Sequence, residues 1–228
     1  MRGTALPPGL SMRDRSSIRL QGVSTRGRER RLLVATAVCL GMMLPVQADY
    51  EAGVMAYYRQ DYEAALREFK TVAAAGDENA QYNVGLMYLK GQGVPENPEE
   101  ASRWFHRAAM QGQVDAQSFL GALYADGQGV HQDYSLAAYW LTRAADAGHP
   151  AAQGFLGQLY FEGLGVARDY VQAYVWFSLA EASGYPESQA WREKAETRMS
   201  DAQLEKAARR VQERLPHWAQ RTQEQEQP

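Results

Sequence analysis

Cysteine is all but missing from this chain. Of 228 residues only Cys39 carries a thiol, which excludes an intrachain disulfide framework. Histidine is nearly as scarce. His106, His131, His149 and His217 stand apart, without the spacings that hold zinc or serve a nucleophile. No phosphate loop and no Gly-x-Ser-x-Gly elbow occurs, so no catalytic, cofactor-binding or metal residues are expected. Long hydrophobic runs are also lacking. The longest charge-free apolar stretch, Leu32–Leu44, has 13 residues, where a spanning helix needs about 20. Positive charge is short everywhere but the beginning. Residues 1–31 hold eight arginines against Asp14 and Glu29, a balance of +6. The rest of the chain carries 16 basic and 25 acidic residues, a balance of −9. That sign argues against nucleic acid as a partner, since phosphate neutralisation dominates such binding.

The first 48 residues resemble an address. Leu32–Leu44 follows the arginine-rich stretch as the apolar region of a secretory signal. Pro45-Val46-Gln47-Ala48 then offers Val46 and Ala48 at the −3 and −1 positions of a cleavage site. Cleavage after Ala48 leaves a mature chain beginning at Asp49, without cysteine and without a permanent membrane span. A lipid anchor at Cys39 fits less well, because Val38 stands where a small residue belongs. An uncleaved N-terminal anchor is the other alternative, and both Met1 and Met12 are compatible starts. The compartment expected is the periplasm of a Gram-negative bacterium, or the exterior.

What the chain does have is period. Ala80-Gln81, Ala116-Gln117 and Ala152-Gln153 recur every 36 residues, with Ser188-Gln189 one step further. Gly85, Gly121 and Gly157 keep the spacing, as do Tyr88, Tyr124 and Tyr160. Gly-x-Gly-Val repeats at 91–94, 127–130 and 163–166, and Trp104, Trp140 and Trp176 follow in register. A period of this length signals a solenoid.

Each unit reads as two helices. The first places small or apolar residues at 116, 120, 121, 123 and 124, one buried stripe, and ends at the first glycine of Gly-x-Gly-Val. Its central glycine weakens it by up to ~1 kcal/mol, tolerable where a neighbour must come close. The valine of the turn is expected to fill the space between the helices. The second helix opens on an N-cap, Asp61, Asn97, Asp133 or Asp169, and closes on Gly76, Gly112, Gly148 or Gly184. Domain bounds follow: a degenerate repeat at 49–79 that has lost its first-helix Gly and Tyr; repeats at 80–115, 116–151 and 152–187; capping helices at 188–215; and a disordered tail at 216–228.

Ala-Gln-x-x-Leu-Gly-x-x-Tyr, Gly-x-Gly-Val and Ala-x-x-Trp-Phe at this period resemble the Sel-one-like repeat, a relative of the tetratricopeptide repeat in which Gln81, Gln117 and Gln153 replace Trp. The resemblance implies an all-α, right-handed α/α solenoid of 36-residue helical hairpins. It also implies adaptor or scaffold roles with a protein or peptide partner, as a monomer. Cysteine-rich secreted members, with a disulfide in each repeat, are associated with β-lactam binding or hydrolysis. A cysteine-free relative of these, a cell-wall scaffold and a host-directed secreted factor are the alternatives.

By the same likeness, the arc of the first helix opposite the repeated residues should line a concave groove. It varies between units: Tyr82, Leu86, Leu89, Lys90; then Ser118, Ala122, Ala125, Asp126; then Gly154, Gln158, Phe161, Glu162. The partner is expected on Tyr82, Leu86, Leu89, Lys90, Ser118, Ala122, Asp126, Gln158, Phe161 and Glu162. Phe119 and Phe155 fall off the arc and are assigned to the core between repeats. The histidines, with Asp115 and Asp146, are expected to be solvated.

Overall fold

A computed structural model describes residues 50–225, with side chains through Leu215. The expected leader 1–48, its cleavage point and Cys39 lie outside the described residues, as does the side chain of His217. Among the described residues there are ten helices and no strand. They are α1 (Tyr50–Tyr58), α2 (Tyr62–Ala74), α3 (Glu78–Lys90), α4 (Pro98–Met110), α5 (Val114–Asp126), α6 (Tyr134–Asp146), α7 (Pro150–Glu162), α8 (Tyr170–Ala182), α9 (Ser188–Glu196) and α10 (Asp201–Gln225). The seven helices from α2 to α8 are each 13 residues long. Consecutive helical hairpins in this register are the architecture of an α/α solenoid.

The chain forms two compact units, one ending at Trp104 and the other beginning at Phe105, within α4. In the first, Ala65, Leu66, Phe69 and Ala73 of α2 bury against Ala80, Val84 and Met87 of α3. Tyr50 and Val54 of α1 close over them, with Tyr50 5.5 Å from the Phe69 ring. In the second unit, Leu141 and Ala144 of α6, Phe155, Leu156 and Leu159 of α7, and Val175, Trp176 and Leu179 of α8 form one core. Val94 and Val166, the valines of the glycine turns, are half-buried against these cores.

The chain's glycines show why the repeat tolerates them. A Cβ on Gly121 would run into Leu141, and one on Gly157 into the Phe177 ring. The first helix thus lets its own second helix approach to backbone contact. In the worn first repeat Gly53 does this for Phe69, although the glycine expected in register is gone. Two structural differences stand at the other end. The last helix runs through Pro216 to Gln225, so 216–225 are helical where a tail was expected; Gln, Glu, Arg and Ala all propagate helix well. Helix α10 also folds back on α8. Ala207, Val211 and Leu215, spaced by four, pack on its outer side, and the Arg214 guanidinium lies 4.7 Å over the Trp176 ring.

Candidate functional site

The repeated residues account for the interior. Gln81, Gln117 and Gln153 are buried, and each donates its side-chain N–H to the carbonyl eight residues earlier: Ala73 at 3.2 Å, Ala109 at 3.1 Å and Ala145 at 3.3 Å. Those carbonyls belong to the last turn of the preceding second helix, where each also accepts the N–H of the glycine just past its end, Gly76, Gly112 or Gly148. The glutamine therefore ties a first helix to the end of the hairpin before it. Trp140 and Trp176 are buried as expected, while Trp104 is half-buried. Phe119 stacks on Phe105 at 5.2 Å and Phe155 meets Tyr185 at 6.4 Å, both in the core.

The groove arc is less open than expected. Tyr82, Leu86, Ser118, Ala122 and Gln158 are buried, Leu86 and Ser118 completely. A first helix inside an array is covered on several sides at once: α7 touches α6, α8, α9 and α5. The middle of the arc is therefore enclosed, and polar or small residues there do not mark solvent. Ser118 Oγ and Gln158 Oε1 are buried without a hydrogen-bond partner.

Accessibility returns only at the ends of the first helices. In the first unit Leu89 and Lys90 are half-buried, and burial lowers the Lys90 pKa from its ordinary value. In the second unit Asp126 is exposed, and Phe161 and Glu162 are half-buried. Phe161 lies edge-on to Tyr170 at 5.3 Å and to Trp191 at 5.6 Å, with Lys194 4.2 Å above the Trp191 ring. Gly91, Gly127 and Gly163 turn these helix ends in the left-handed conformation. Gly93 and Gly165, at positive φ, lie so close to the backbone of Tyr62 and Tyr134 that no side chain fits.

The second-helix caps are as expected: Asp61, Asn97, Asp133 and Asp169 accept backbone N–H groups of α2, α4, α6 and α8. The first-helix caps were not foreseen. Asp77, Gln113 and His149 hold the N–H groups of Ala80, Ala116 and Ala152. His149 is thus no solvated turn residue. Its Nδ1 accepts from Ala152 at 3.1 Å, and its Nε2 lies 3.3 Å from Asp115, which Gln113 also reaches at 3.2 Å. Both ring nitrogens are engaged, so His149 and Asp115 do not form an open acid–base pair. Among the described residues no three His, Cys, Asp or Glu side chains cluster to hold a metal ion. None of the described helices is long and apolar enough to cross a membrane.

The profile of the Sel1 repeat matches residues 79–113, 114–149 and 150–185. Among solved structures, the chain is similar to a Sel1 repeat protein from Oxalobacter formigenes, at 33% identity and a TM-score of 0.60, over 63% of this chain and 59% of that one. It is also similar to c5321, a protective antigen of uropathogenic Escherichia coli strains with an SLR fold, at 31% identity and a TM-score of 0.69, over 80% of this chain and 42% of that one. The chain therefore spans less than two thirds of either relative's length. No curated protein matches it.

Proposed function

The chain belongs to the Sel1 repeat family, and from that premise we propose that it is an exported adaptor holding a protein or peptide partner at the ends of its first helices. The fold generally mediates protein–protein interaction. One observation carries the finer reading. The accessible helix-end positions change from unit to unit: Leu89 and Lys90, then Asp126, then Phe161 and Glu162. Variation at positions that reach solvent fits selection for a client, whereas the variation at Tyr82, Ser118 and Gly154, and at Leu86, Ala122 and Gln158, is buried and belongs to packing. The aromatic group of Phe161, Tyr170 and Trp191, with Lys194 over the Trp191 ring and Glu162 next to Phe161 in sequence, has the anchor-and-rim composition of a binding surface. The leader-like segment 1–48 supports a periplasmic or secreted setting, where envelope assembly or signalling factors are the clients of this reading.

The test is affinity capture from native envelope, wild type against Asp126→Lys with Glu162→Lys. Both side chains reach solvent, so the melting temperature should hold, with surface changes usually within about 0.5 kcal/mol. Loss of the captured partner supports the reading; undiminished capture by the double variant overturns the placement.

A further inference from the structure

Large exposed apolar side chains in the second unit lie on second helices, not on first helices. They are Met110 of α4, 65% exposed, and Leu136 and Tyr139 of α6, 40% and 52% exposed. Leu136, Tyr139 and Arg143 recur at helical spacing and so share one face. Arg143 lies 5.8 Å over the Tyr139 ring, and Tyr139 meets buried Trp140 edge-on at 5.0 Å. His106 of α4 also lies edge-on to Trp140 at 5.7 Å, and Met110 is one turn beyond it.

We propose that this outer face of α6 is a second interaction surface, separate from the helix ends described above, and that it takes an acidic amphipathic helix of a protein partner. The chain itself displays such docking one repeat later. The positions equivalent to Tyr139, Trp140 and Arg143 in α8 are Val175, Trp176 and Leu179, all buried. What lies on that face is α10, which inserts Ala207, Val211 and Leu215 and sets Arg214 over Trp176. A helix is therefore what this side of a second helix accepts. The equivalent positions of α4 look different: Arg103 is tied to Glu99 at 2.7 Å and to Glu100 at 2.6 Å, a solvated, internally paired face. The α6 face is not covered as α8 is, and it exposes Leu136 and Tyr139 where α4 carries Glu100 and Arg103.

Charge selects the occupant. On α8 the covering helix brings the arginine to the aromatic ring. On α6 the face already supplies one, Arg143 on Tyr139, with the His106 ring against Trp140. A helix that brings an arginine to this face, as α10 does with Arg214, meets like charge here, whereas carboxylates flanking a leucine stripe meet Arg143. Tyr and Arg around an apolar centre are also the residue types that carry most binding energy.

Two labelled helical peptides with the same i, i+4 leucine stripe, one flanked by glutamates and one by lysines, test the proposal by fluorescence anisotropy against the full chain. The glutamate peptide should bind roughly ten-fold or more tighter than the lysine peptide, weakening with salt as exposed charges do. Tyr139→Ser should weaken it by a similar factor, and Arg143→Glu should reverse the preference, with both variants melting like wild type. Asp126→Lys with Glu162→Lys should leave this binding unchanged, which separates this surface from the helix ends. Failure of the glutamate peptide to bind overturns the proposal, as does equal binding of the two peptides or indifference to Tyr139→Ser. Self-association in sedimentation that Tyr139→Ser abolishes also overturns it, in favour of a second copy on this face.

Discussion

Gln117 shows how much a single repeated side chain can do without touching solvent. Its N–H closes a buried carbonyl at the end of the previous hairpin, Ala109. Gln117→Leu keeps the volume roughly but removes one of two donors to that oxygen. The carbonyl still accepts from the Gly112 N–H at 3.0 Å, so the loss is that of one hydrogen bond, about 0.5–1.5 kcal/mol. Chemical denaturation should show a lower midpoint with an unchanged slope; a midpoint equal to wild type would mean the tie adds nothing to the bond from Gly112. Trp140→Ala empties a buried aromatic site and should cost roughly 3–5 kcal/mol, read the same way. The sequence displayed Ala-Gln as a mark of the repeat but not its purpose, because the partner lies eight residues back across a turn. His149 was misread for a similar reason. A histidine N-cap lacks the usual Ser, Thr, Asp or Asn signature, so only the geometry at Ala152 identifies it.

Among helices, the central glycine gives the sharpest contrast. Alanine in place of a mid-helix glycine normally favours the helix by up to ~1 kcal/mol. Gly157→Ala should do the opposite here, since its Cβ meets Phe177; overpacking of this kind costs about 1–3 kcal/mol. A melting temperature above wild type would refute the close approach of α7 and α8. Helix α10 invites a second test. Ending the chain after Met199 bares Val175, Trp176 and Leu179, so the shortened protein should bind more hydrophobic dye and self-associate more than the full chain. Helix bounds, caps and glycine stops were legible from pattern alone. The enclosure of the groove arc was not, because a helix flanked on several sides is buried at polar and small positions too, and periodicity within one helix cannot count its neighbours.

For the molecule as a whole, the export reading makes a plain prediction. Material recovered from the periplasm of a Gram-negative host should have the intact mass of residues 49–228, carry no lipid and be unchanged by thiol alkylation; retained Cys39 would contradict it. The solenoid was legible from the 36-residue period, whereas the fold-back of α10 depended on which face of α8 lacks charge, a property of two distant segments together.

The glutamine tie has a consequence for how such chains change length. Excision of residues 114–149 would join Gln113 to Pro150, and the carbonyl eight residues before Gln153 would then be that of Ala109. Gln113 would cap α7 as His149 does now, so every buried bond at the new seam has a ready substitute. A cut one residue longer or shorter would put the glutamine out of register with its carbonyl and cost its side-chain N–H that bond. The bond acts as a reading frame: it lets whole repeats be gained or lost by duplication and deletion, and rejects fractions of one.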